Sequence, residues 1–195
     1  MQEARTAMTR LGVRSEAQLF LGYPDGGLRA LLGEHRTVPF TSPTTRAAAV
    51  PYADALFPGH AYTGESLERD LLAVLERVQP TVILAPTPLD AHTDHSAAGL
   101  LTQTVSARYA RALAVRYWIV HGGKGWPSPA ALMPGVPLMP APLATPIAPA
   151  AFELEPVEED GKLFALQAYQ TQLRVMAPFL LSFVRTNELY SSRAH

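Results

Sequence analysis

Four side chains able to transfer protons or bind a metal fall within six residues: Asp90, His92, Asp94 and His95, in the stretch PTPLDAHTDHSAAG (86–99). Neutral imidazole is a common zinc ligand, and a ligand histidine usually carries a carboxylate or carbonyl on its other nitrogen. His95 lies where a helix is expected to begin. The helix dipole there disfavours the imidazolium and keeps a ring nitrogen available to a metal. His92 stands between Asp90 and Asp94, whose carboxylates favour its charged form. A charged imidazole is a good donor to a developing oxyanion. The cluster could therefore supply one metal ligand and one electrostatic stabiliser. A plainer reading is that Asp94 caps the helix and that His92 is a solvated loop residue. A zinc site normally takes three protein ligands, and this cluster offers two or three.

Two further groups share its setting. Tyr23 and Asp25 lie in GYPDGG (22–27), and His121 opens HGGKG (121–125). Each follows an apolar run of strand length, as the Asp90–His95 cluster follows TVILA (81–85). In open α/β sheets, ligands bind beyond the carboxyl ends of the strands, so the three groups are expected to converge. Asp25 also suits an ordinary turn, and His121 could simply bond to backbone. His35, His60 and His195 lack such a context and are expected at the surface.

The elements that would position these groups alternate. Ala4, Ala7, Met8 and Leu11 recur at helix spacing, with Gly12 as a stop. AQLFLG (17–22) reads as a buried strand, and 28–35 as a short helix. Residues 36–62 have no clear period. Leu67, Leu71, Val74, Leu75 and Val78 form one stripe of a helix over 65–78, with Thr63 as its N-cap and Pro80 beyond its end. TVILA then reads as a strand buried on both faces, as in parallel sheets. A helix over 95–113 and a strand over 114–120 follow. Residues 126–150 hold eight of the eighteen prolines and read as a loop or extended arm. Helices are expected over 158–173 and 176–190. This order predicts an α/β fold with a mainly parallel sheet.

Bulk composition narrows the function classes. The 195 residues suit one domain, 48% of them are hydrophobic and 17% charged, and the net charge is −1. A nucleic-acid footprint is not indicated. No stretch reaches the length of a membrane span, and the N-terminal residues do not read as a signal peptide, so a cytoplasmic protein is expected. The absence of cysteine excludes disulfides, thiolate chemistry and Cys-based zinc sites.

Taken in order, LGYPDGGL (21–28), DAHTDH (90–95), VHGGKGWPSP (120–129) and KLFALQAYQTQL (162–173) resemble segments of the LmbE-like, or PIG-L-like, zinc-dependent N-deacetylases. The resemblance implies a Rossmann-like three-layer α/β/α fold. It also implies removal of acetyl groups from N-acetylglucosamine-type or related amide substrates, with Zn²⁺ as cofactor. Carried over by position, His95 matches the last histidine of the family's H-x-D-H motif, a metal ligand. His92 matches the histidine that stabilises the oxyanion, Asp94 the aspartate that supports it, and Asp25 a position associated with substrate. Asp90 would join Asp94 as a catalytic residue tuning His92, and Tyr23 and His121 would line the substrate site with Asp25. The family's A-H-P-D-D-E motif, source of two more ligands and a general base, does not occur in the sequence. The resemblance thus predicts a domain lacking its first strands, through an upstream start site, a truncated gene or a completing partner chain. It further predicts apolar surface left open and poor solubility. A catalytically inactive truncated paralogue, acting as a sugar-binding protein or a remnant that binds nothing, is the alternative. A homo-oligomer is left open.

Overall fold

A computed structural model describes residues 1–195. In chain order the elements are α1 (Gln2–Arg10), α2 (Leu28–Leu31), α3 (Gly64–Val78), β1 (Val82–Pro86), α4 (Thr93–Arg108), β2 (Ala114–Trp118), β3 (Ala150–Glu153), α5 (Pro156–Leu166), α6 (Gln170–Leu181) and β4 (Asn187–Tyr190). The chain divides into two compact units, one of residues 20–121 with 191–195, the other of residues 1–19 with 122–190. The fold is mixed α/β with one parallel pair of strands.

In the unit of residues 20–121 and 191–195, β1 and β2 pair in parallel from Val82 opposite Ala114 to Pro86 opposite Trp118. Leu31, Val50, Tyr62, Leu67, Leu75, Leu101 and Val105 form the core, with Ile83 packed against it. The helix expected over 65–78 is present. The Thr63 hydroxyl accepts the Ser66 N–H at 3.2 Å, which satisfies one of the free donors of the first turn. TVILA is a strand, but it is not buried on both faces. Ala85 is buried, whereas Val82 and Leu84 are 51% and 56% exposed. The period of two turns Ile83 and Ala85 inward and its neighbours outward, and the helical layer covers only the inner side.

The α4 helix lies very close to the end of β1. A Cβ on Gly99 would stand 2.5 Å from the Pro86 carbonyl oxygen and 2.8 Å from the Pro88 nitrogen, so glycine alone permits this approach. AQLFLG is not a strand. After a short 3-10 turn over Ser15–Ala17 the chain runs irregularly, and the Phe20 carbonyl accepts the Leu56 N–H at 2.8 Å. The apolar run has no ladder to join.

In the other unit, α1 packs on α5 through Ala7, Ala165, Ala168 and Tyr169. The Arg10 guanidinium covers the Phe164 ring at 4.3 Å, and the Glu3 carboxylate accepts the Thr171 N–H at 2.8 Å. The helix expected over 158–173 is two helices, α5 and α6, broken between Leu166 and Gln170. The helix expected over 176–190 is also corrected. α6 is kinked at Met176, ahead of Pro178, and ends at Leu181, while Asn187–Tyr190 pairs antiparallel with Ala150–Glu153. Proline lacks the N–H that would continue the helical ladder, and long-range pairing captures the downstream residues. The proline-rich arm holds a 3-10 helix over Pro142–Ile147. It is fastened by the Trp126 indole N–H to the Met139 carbonyl at 2.8 Å and by the buried Arg185 to the Pro129 carbonyl at 2.9 Å.

Replacing Gly99 with alanine is expected to destabilise the fold by about 1–3 kcal/mol, the usual cost of overpacking. A lower urea midpoint with an unchanged m-value would report it; an unchanged midpoint would contradict the close approach of α4 to Pro86.

Candidate active site

The Asp90 carboxylate organises the cluster at the ends of β1 and β2. Oδ1 accepts the His92 N–H at 2.8 Å. Oδ2 accepts the N–H groups of Val120 and His121 at 2.9 and 3.1 Å and faces His95 Nδ1 at 3.2 Å. The side chain is buried. Burial alone would push its carboxyl up, but the His95 ring and the backbone donors outweigh this and hold it at about 2. The Ala91 N–H bonds to the His121 carbonyl at 3.0 Å, so the loops after the two strands are tied together through Asp90 and its neighbour.

This frame gathers three imidazoles. Their ring centroids are 4.7 Å apart for His92 and His95, 5.2 Å for His92 and His121, and 5.3 Å for His95 and His121. Burial lowers the basicity of His121, against the opposing pull of Asp90. With Nδ1 of His95 engaged by Asp90, its Nε2 is the atom offered to a ligand. His92 is the N-cap of α4, and its Nδ1 accepts the Asp94 N–H at 3.3 Å. An accepting Nδ1 leaves the ring proton on Nε2, so His92 presents an N–H donor.

The Asp94 carboxylate is neither the cap nor a partner of the His92 ring. It accepts the N–H groups of Gly26 and Leu28, at 2.6 and 3.0 Å. Asp25 is exposed in the turn just before Gly26. The Tyr23 hydroxyl is drawn to Asp70, donating to Oδ2 at 2.8 Å, and burial together with that carboxylate strongly disfavours its ionisation. The structure thus brings His92, His95, His121 and Asp90 together, sets the Asp25 turn against α4, and commits the Tyr23 hydroxyl elsewhere.

His60 lies near the surface, its side chain 37% exposed, but it is not free. Its Nδ1 lies 2.9 Å from Asp70 Oδ1, and its ring stacks on Phe57 at 5.1 Å. The readable signal is Asp70 itself, an acid between Leu67 and Leu71 on the face of α3 that packs inward. Such a buried carboxylate requires partners.

The donor set decides what metal chemistry these residues can carry. No group of three or more His, Asp or Glu side chains is placed to hold a metal ion. His95 Nε2 is one donor where a zinc site needs three from protein. The residues of this chain therefore do not by themselves fit the zinc that the family resemblance implies.

Three imidazoles and a buried carboxylate are thus clustered at the ends of the parallel strands of an α/β chain. The family described as PIG-L: GlcNAc-PI de-N-acetylase matches residues 1–106, and the chain belongs to that family, one of deacetylase-type hydrolases. The matched residues include Tyr23, Asp25, Asp90, His92, Asp94 and His95; His121 falls outside them. No curated protein and no solved structure matches the chain.

Two outcomes are expected. Asp90→Asn loses a carboxylate whose folded value lies below its unfolded one, so its contribution is present above about pH 4 and vanishes as pH falls through about 2. The variant should be less stable by about 2 kcal/mol at pH 7, with the difference closing in acid; urea midpoints across pH measure it. Purified protein given one equivalent of zinc should retain well under one equivalent after desalting. Stoichiometric zinc that disappears in His95→Ala would show a complete site.

Proposed function

We propose that this chain serves the hydrolytic removal of an acetyl group from an N-acetylglucosamine-type or related amide conjugate. Water adds to the amide carbonyl, the C–N bond breaks, and acetate and a free amine leave. The observation that carries the reading is the His92 ring, held as the cap of α4 with its proton on Nε2. A donor fixed in advance beside a carbonyl oxygen stabilises the oxyanion that forms there. Asp90 is the positioning residue behind it, since it accepts the His92 N–H and holds the His95 ring. In this reading His121 lines the site beside the other two imidazoles, and Asp25 contacts sugar hydroxyls.

Zinc is the cofactor this reading implies. His95 Nε2 would face it, and the rest of its ligands would come from outside the residues gathered here. The same reading takes β1 and β2 as two strands of a Rossmann-like three-layer sheet within one deacetylase domain. Their parallel pairing, with α3 and α4 beside them in chain order, supports that frame. No helix is long and apolar enough to cross a membrane. The partner in this reading is a small molecule and the setting cytoplasmic.

The incomplete donor set favours a second reading, a chain that binds an amino-sugar conjugate without hydrolysing it. Acetate release from N-acetylglucosamine and its inositol conjugates, measured with zinc supplied, separates the two. The first reading expects release that falls about 10²–10³-fold in His92→Ala, as for loss of one oxyanion donor. Saturable binding without acetate would establish the second.

A further inference from the structure

The turn that carries Asp25 is pinned from two helices by two buried carboxylates. On one side Asp70 of α3 accepts the Tyr23 hydroxyl at 2.8 Å. On the other, Asp94 of α4 accepts the Gly26 N–H at 2.6 Å and the Leu28 N–H at 3.0 Å, one on each oxygen. Gly26 has φ near +72°, a conformation that suits glycine, and the Gly27 N–H closes back on the Pro24 carbonyl at 3.3 Å. Leu28 opens α2, and its N-cap Gly27 has no side chain to satisfy that helix end. The Asp94 carboxylate supplies the missing acceptor from another helix. Charge-assisted bonds of this kind are roughly twice as strong as neutral ones.

Asp94 stands between His92 and His95 in the first turn of α4, yet both of its oxygens face the turn. Its hydrogen bond to the His92 ring is made by its own backbone N–H. We propose that Asp94 is a positioning residue for the Tyr23–Leu28 turn and not for His92. It sets Asp25 beside the first turn of α4, so that one carboxylate and the imidazole cluster form a single ligand-contact surface suited to a polyhydroxylated, amide-bearing sugar. The choice of ligand rests on the proposed function; the positioning does not.

The test uses the full chain and three variants: Asp94→Asn, Asp25→Ala, and Thr93→Asp combined with Asp94→Ala. The last returns a carboxylate to the first turn of α4, and so restores any dipole or solubility role, without restoring the two bonds to the turn. In it, the Gly26 and Leu28 amides should exchange at least about tenfold faster than in the parent. The His92 side-chain ¹⁵N shifts should keep their parent pattern, with the proton on Nε2. Asp94→Asn, which keeps one accepting oxygen, should show an intermediate effect and guards against a combined variant that fails to fold. Parent-like exchange at Gly26 and Leu28 would overturn the proposal, as would a change in the His92 ring shifts with the turn unaltered. Titration with N-acetylglucosamine completes the test. Asp25→Ala and Asp94→Asn should weaken binding by similar factors, and the two together no more than either alone. If the parent does not bind N-acetylglucosamine, the sugar reading fails, while amide exchange still decides the role of Asp94.

Discussion

The arrangement at the strand ends depends on one buried carboxylate. Asp90 accepts backbone N–H groups from both loops that follow β1 and β2 and also orients the His95 ring. Such a charge is costly to bury without partners and stable only when each lone pair is answered. Four donors answer it here, and each comes from a residue that must stay where it is. The geometry of the three imidazoles follows from this requirement more than from contacts among the rings themselves.

The same device recurs away from the strand ends. Asp70 on α3 gathers Tyr23 and His60. Glu68, two residues earlier and so on a different face, meets Arg36 and Arg108. Asp94 on α4 gathers the backbone of the Asp25 turn. Residues 36–62 have little regular structure, and apolar packing alone would hold them loosely. Buried acids on the two long helices give the irregular segments fixed points of attachment, with directionality that dispersion contacts lack.

Local signals were readable where chemistry is local. Thr63, Glu65 and the Leu67–Val78 stripe announce α3 because a cap and a period of 3.6 lie within a few residues of one another. The position of Asp90–His95 between a β-branched run and a helix could be read for the same reason. The division of labour within that cluster could not. Nothing in the spacing shows that His92 caps the helix or that Asp94 turns to Gly26, since the partner lies far away in sequence. Likewise AQLFLG has the composition of a strand but no neighbour to pair with, and NELY becomes one because Ala150–Glu153 reaches it. The surroundings of His60 in sequence carry no sign of its partner, which is Asp70, ten residues on.

One topological detail bears on how the molecule is made. Ser191 exchanges both backbone bonds with Tyr117 of β2, at 2.8 and 2.9 Å, and the Ala194 carbonyl accepts the hydroxyl of the fully buried Thr87 at 2.6 Å. The unit that bears the imidazoles therefore closes with residues 191–195, after the whole of the other unit has been threaded. On the ribosome, β1, α4 and β2 emerge well before those residues, and contacts this distant in sequence form late. Until then Thr87, at the head of the loop that carries Asp90, lacks its acceptor, and β2 lacks its bridge. Assembly of the site is thus coupled to the arrival of residues 191–195.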